Sequence, residues 1–288
     1  MQHLSHLPTR APMALLLLLV LSLSRAVPAT AQQAAPAAAL SIGQTFTLTS
    51  QVLGETRRIN VYRPASFPDS ANTALPVLYM PDGGMAEDFL HVAGLVQVLV
   101  GNGTMRPFML VGIENTERRR DLTGPTTDAK DRKIAPRVGG SAAFRQFLRR
   151  ELMPEIARRY PTTAEKAIIG ESLAGLFVVE TLLTEPDLFD TYLAFDPSLW
   201  WNKEQLLQVA PAFARRYQGP AKVLFMAASS QPDIARETRQ LGVILEQAGN
   251  QRLTVTALSL PLETHQTIYH PAALLGLRAV FAPKLAKK

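Results

Sequence analysis

The stretch Ala167-Ile168-Ile169-Gly170-Glu171-Ser172-Leu173-Ala174-Gly175-Leu176-Phe177-Val178 restricts the fold more than any other part of the chain. It opens as a short apolar run, turns through small residues at a serine, and continues as helix-compatible sequence. That is a strand, a tight elbow and a helix. A serine at such a bend has its hydroxyl pushed forward, and the first amides of the next helix point at any oxyanion formed beside it. The pattern approximates Gly-x-Ser-x-Gly, with Ala174 at the second small position and Gly175 one step later. A serine capping an ordinary helix after a buried strand would look much the same over these residues alone. Two features outside the stretch favour the elbow. Strands and helices alternate on both sides of it, which is α/β architecture. An acid (Asp233 or Glu237) and then a histidine in a polar loop (His265) follow Ser172, so a base and a carboxylate to orient it are both available downstream of the elbow.

At 288 residues and 47% hydrophobic content, the chain can bury one substantial core. Its formal charge of +6 is scattered along the sequence, without the concentrated basic footprint expected of a nucleic-acid binder. With no cysteine, disulfides, a thiol nucleophile and Cys-based metal centres are excluded. No compact His-Glu-x-x-His spacing is present, so neither a metal nor a cofactor is expected. Residues Met1–Ala31 read as a cleavable export signal: Arg10, the apolar run Ala14–Leu21, and small residues at Ala29-Thr30-Ala31. The run is short for a bilayer span, so no stable transmembrane segment is expected after cleavage. Residues 32–44 read as a flexible leader and 45–284 as one domain, in a periplasmic or secreted protein. Oligomeric state is not legible.

Thr45–Leu53 and Thr56–Tyr62 read as a hairpin turning at Gly54-Glu55, and Leu75–Met80 as a central strand running into Pro81-Asp82-Gly83-Gly84-Met85. Phe89–Val100 has helical spacing, and Pro107–Ile113 is a further buried strand. The polar segment after it carries Arg118, Arg119 and Arg120, which either hold an anionic substrate or pin a solvated loop through salt bridges. Residues 126–140 form a long Gly/Pro/charged excursion of the kind used as lids or binding loops. Ala142–Tyr160 reads as one helix. After the elbow helix come a strand at Tyr192–Phe195, a helix at Gln205–Arg216, a strand at Lys222–Ala227, a helix at Ile234–Gly249, a strand at Leu253–Leu258 and a closing helix at Ala272–Phe281. Trp200 and Trp201 are adjacent, so one ring is expected to pack inward and the other to line a pocket.

Several segments together resemble the esterase branch of the α/β-hydrolases, which includes periplasmic siderophore esterases that open the trilactone of enterobactin-like compounds. They are Tyr79-Met80-Pro81-Asp82-Gly83, the loop from Val111 to Thr123 with its Asn115-Thr116 and Arg118-Arg119-Arg120-Asp121-Leu122-Thr123, Gly170–Phe177, Asp196-Pro197-Ser198-Leu199-Trp200-Trp201-Asn202, and Glu263-Thr264-His265. They cover most of residues 45–283 in the family's order. Glu171 stands where histidine is common, Ala174 where glycine is common, and Gln266 follows His265 where glycine is common.

The resemblance implies a single α/β-hydrolase domain with a mostly parallel central sheet, antiparallel N-terminal strands and flanking helices. It implies that Ser172 attacks an ester carbonyl while His265 serves as general base and then acid. Asp233, which begins the helix after the penultimate strand, is the first choice to orient His265. Glu237, one turn on, is the second, and Asp196, after an earlier strand, is a third. The oxyanion would be met by the Leu173 amide and one from Gly83, Gly84 or Met85. Arg118–Arg120, Trp200 and Trp201 would contact a small-molecule ester, a siderophore ester or trilactone among them. Acyl transfer through the same serine, and a non-catalytic binding protein on this fold, are the alternatives.

Overall fold

The alternation of apolar runs and amphipathic segments resolves into eight strands and eight α-helices in a computed structural model that describes residues 37–64 and 72–283. The export signal expected at Met1–Ala31 lies outside the described residues, as does the first part of the expected leader. The strands are β1 (Gln44–Ser50), β2 (Glu55–Tyr62), β3 (Leu75–Pro81), β4 (Met109–Ile113), β5 (Thr162–Glu171), β6 (Thr191–Phe195), β7 (Lys222–Ala228) and β8 (Leu253–Ser259). They form one sheet in the order β1-β2-β4-β3-β5-β6-β7-β8. β1 with β2 and β2 with β4 are antiparallel, and every other pair is parallel. The fold is a single α/β-hydrolase domain with a mixed sheet. β3, β4 and β6 are buried along their whole length, as continuous apolar strands covered on both faces must be.

The helices are α1 (Phe89–Gly101), α2 (Arg118–Asp121), α3 (Ser141–Phe147), α4 (Met153–Arg159), α5 (Leu173–Thr184), α6 (Trp201–Arg216), α7 (Pro232–Gln247) and α8 (Tyr269–Val280). α1 and α8 cover one face of the sheet, where Phe89, Val96, Ala272 and Leu277 meet Leu78, Ile169 and Phe195. α3 to α7 cover the other, with Phe144, Phe177, Leu207 and Leu241 against Tyr79, Ile168 and Tyr192.

Local geometry departs from the sequence reading in three places. The hairpin turns through four residues, since β1 ends at Ser50 and pairs with Glu55. Its amides at Gln51 and Val52 bond the Glu151 carboxylate at 2.9 and 3.0 Å, a distant partner that sets the turn. The expected helix over Ala142–Tyr160 is interrupted by a π turn at Leu148–Leu152, the turn that carries Glu151. Ahead of the regular part of α6, Asn202, Lys203 and Glu204 all take left-handed conformations, with φ of 48°, 57° and 59°. The Asn202 amide bonds buried Asp131 at 2.8 Å and its side-chain oxygen accepts from the Thr127 amide at 3.0 Å, so this bend is locked to the 126–140 excursion.

Candidate active site

The parallel strands bring the site together at their C-terminal ends, the edge where open α/β sheets carry ligands. β5 and β6 are in register through Glu171 and Phe195. Ser172 and Asp196, one residue beyond each, therefore emerge side by side, and the Ser172 amide bonds the Phe195 carbonyl at 3.0 Å. β7 ends one strand further over and contributes Ser229. The loop after β8 returns across this edge with His265. It is fixed by Ser230 bonding the Glu263 carbonyl and by the Thr264 amide bonding Thr267 Oγ1 at 2.9 Å.

The elbow is strained in the way a forward-projecting serine demands. Ser172 has φ 59° and ψ −119°, a conformation costing a non-glycine residue on the order of 1–3 kcal/mol. Small residues make the bend possible. A Cβ on Gly170 would lie 2.7 Å from the Ala174 Cβ, and one on Gly175 would lie 3.0 Å from the Phe195 carbonyl oxygen. Asp82 and Asp196, at the ends of β3 and β6, share the left-handed region with φ of 57° and 41°.

His265 Nε2 lies 3.0 Å from Ser172 Oγ, and His265 Nδ1 lies 3.0 Å from Asp196 Oδ2. Asp196 is fully buried and also accepts from the Ser229 amide at 2.5 Å and from Ser229 Oγ at 2.6 Å. Its hydrogen bond to His265 raises the imidazole pKa, burial works against that, and nearby Glu171 adds to the rise. The carboxylate on Nδ1 is thus Asp196, which corrects the expectation for Asp233. Asp233 sits exposed in the first turn of α7. Glu237 is buried one turn on, with its Oε1 3.0 Å from Arg236 Nη2, and burial pushes it up to about 7.

Two of the amides expected to meet an oxyanion are already occupied. The Gly83 N–H bonds the Ile113 carbonyl at 2.9 Å and the Gly84 N–H bonds Glu87 Oε2 at 2.7 Å. The Met85 N–H has no acceptor among the described residues. The Leu173 N–H, first in α5, is one of the orphan donors of a helix start.

A protein family described as "Putative esterase" matches residues 50–256. The chain belongs to this esterase family. It is 31% identical over 232 residues to the "Ferri-bacillibactin esterase BesA" of Bacillus subtilis, covering 70% of this chain and 78% of that protein. The crystal structure of an IroE-like serine hydrolase from Shewanella oneidensis superposes with a TM-score of 0.75 at 30% identity, covering 83% of this chain and 80% of the other. The enterobactin esterase FES from Shigella flexneri shares the fold, with a TM-score of 0.65 at 19% identity over 84% of this chain and 59% of that one.

Around the Ser172 elbow, the three arginines each bond different partners. Arg118 grips Asp82 with Nε and Nη2 at 2.7 and 2.8 Å, Arg119 bonds the Ile134 carbonyl at 2.7 Å, and Arg120 bonds Glu55 and Asp121. Arg118–Arg120 and Arg137 nonetheless line a cleft of about 510 Å³ together with Glu117, Ala135 and Pro136. Trp201 is buried, donates to the Gly124 carbonyl at 2.9 Å and lines a separate cavity of about 400 Å³, while Trp200 is exposed. Oxygens of Glu171 and Asp196 and a nitrogen of His265 fall within 4.8 Å of one another. A cation there would compete with the His265–Asp196 hydrogen bond, so these donors suit proton transfer better than metal binding. No helix among the described residues is long and apolar enough to cross a membrane.

Proposed function

We propose that this protein hydrolyses carboxylic esters through an acyl-enzyme formed on Ser172. The observation that carries the reading is the hydrogen-bond chain Ser172–His265–Asp196. With Nδ1–H donated to Asp196, Nε2 keeps the lone pair that takes the Ser172 proton. Oγ adds to the ester carbonyl, and the carbonyl oxygen takes up negative charge beside the Leu173 and Met85 amides. The tetrahedral adduct collapses as His265 hands its proton to the departing alkoxide, leaving the acyl group on Oγ. Water then enters, loses a proton to the same nitrogen as it adds to the acyl carbon, and His265 returns that proton to Ser172 Oγ as the Oγ–acyl bond breaks and the acid leaves.

The substrate we favour is a siderophore ester or trilactone in an exported protein. Support comes from kinship with proteins named for such substrates, from the cleft lined by Arg118–Arg120 and Arg137, and from the signal-like first residues. The test compares parent and Ser172→Ala on short-chain aryl esters and on a tris-catecholate trilactone with and without iron. Loss of hydrolysis in the variant supports the chemistry. Equal rates reject Ser172 as nucleophile, and ester cleavage without trilactone cleavage rejects the substrate.

A further inference from the structure

Glu171, the last residue of β5, takes no part in the steps above. Its Oε1 lies 3.4 Å from His265 Nδ1, the same ring nitrogen that bonds Asp196. That oxygen is buried and has no hydrogen-bond partner among the described residues. The charged and titratable groups facing Glu171 are His265 from the loop after β8, Arg118 from α2, Asp196 after β6, Asp82 after β3, and Tyr269 from α8. Burial raises the Glu171 carboxyl, the charges of Asp196 and Asp82 add to the rise, and His265 and Arg118 pull it back toward ionisation. A proton is thus contested between this carboxyl and the imidazole it faces.

We propose that Glu171 is a positioning residue for the general base: it seats a second carboxyl against the Nδ1 edge of His265, and its charge sets how tightly the imidazole holds its proton. The inference rests on the Ser172–His265 reading above. Groups this close titrate as a pair. With one proton between them, imidazolium with carboxylate competes with imidazole with carboxylic acid, and only the second arrangement has Nε2 free to take the serine proton. An ionised Glu171 therefore holds His265 in its inactive, protonated form to higher pH. Replacing it with an uncharged isostere frees the base at lower pH.

The experiment measures kcat/KM on 1-naphthyl acetate from about pH 5 to about pH 10 for the parent, Glu171→Gln and Glu171→Asp. The rate of Ser172 labelling by a fluorophosphonate is followed in parallel. The acidic limb of Glu171→Gln should move down by about 1 pH unit, the effect of a unit charge at this separation in a water-like dielectric. Glu171→Asp should fall between. Superimposable limbs for the parent and Glu171→Gln, or an aspartate variant displaced as far as the glutamine variant, would overturn the proposal. Nitrogen NMR of the His265 ring in the parent keeps the question open to test if Glu171→Gln does not fold or if no ester is turned over. Two titration steps are expected, and a single step refutes the pairing. A parent that neither hydrolyses the ester nor labels, yet shows both steps, sinks the esterase reading and leaves the pairing standing.

Discussion

Asp196→Asn separates the carboxylate the structure puts on His265 from the two that chain position favoured. Asp196 accepts from three donors: Ser229 N, Ser229 Oγ and His265 Nδ1. An amide has one oxygen to offer and must turn its NH2 toward one of them. If that NH2 meets Nδ1, the imidazole adopts the tautomer with the proton on Nε2 and can no longer accept from Ser172. The corresponding swap in a serine protease costs about 10⁴ in kcat, or about 5.5 kcal/mol of barrier. Here Glu171 is 3.4 Å from Nδ1 and can partly replace the lost acceptor. The expected loss is therefore about 10³ for Asp196→Asn and about 10⁴ once Glu171→Gln is added. Steady-state kcat on an aryl ester is the readout, with thermal melting to confirm folding. Asp233→Asn and Glu237→Gln should stay within about threefold of the parent, since neither side chain bonds His265. A variant of Asp196 keeping more than about a tenth of kcat, or an equal fall in Asp233→Asn, would refute the argument.

Other perturbations probe the scaffold. A Cβ on Gly83 would sit 2.3 Å from the Gly112 Cα and the Ile113 N, both β4 backbone. Gly83→Ala should therefore cost about 3 kcal/mol or more in urea denaturation, and a normal midpoint would show that the β3 and β4 ends are less tightly apposed than described. Lys203 is exposed with φ 57°, so Lys203→Gly should stabilise by about 1 kcal/mol; destabilisation would mean that the left-handed turn carries no strain. At Glu55, burial alone would raise the pKa, but hydrogen bonds from Arg120 and Thr116 and the charges of Arg57 and Arg120 outweigh it and hold the group at about 2. That lowered value makes its contribution complete above the ordinary 4.5 and lost as pH falls toward about 2. Glu55→Gln should flatten acid unfolding across that window, whereas parallel curves for parent and variant would dismiss the assignment.

Much of the architecture is legible because each element carries its own signal. The strands expected at Leu75–Met80, Pro107–Ile113, Tyr192–Phe195 and Lys222–Ala227 end within one residue of the observed strands, and the small residues around Ser172 are those that the close strand-to-helix approach requires. What sequence does not carry is register. Asp196 and Asp233 both follow buried strands, and only the β5–β6 pairing of Glu171 with Phe195 sets Asp196 beside the serine. The three arginines take different partners for a local reason: Arg118–Asp121 is one helical turn, and successive residues on a turn point in different directions. The candidate oxyanion amides are narrowed by other partners, since Ile113 and Glu87 claim the Gly83 and Gly84 N–H groups. Gly-x-Ser spacing marks a candidate nucleophile but not the amide left free opposite it.

A covalent intermediate is the most direct test of the central claim. An acetyl aryl ester is mixed with the protein, the reaction is quenched in acid within milliseconds, and the peptide spanning Ser172 is weighed. The peptide should gain one acetyl group on Ser172, at a level that falls in His265→Ala and vanishes in Ser172→Ala. Turnover with no acyl group on that peptide, or with the label on a different residue, would contradict the account.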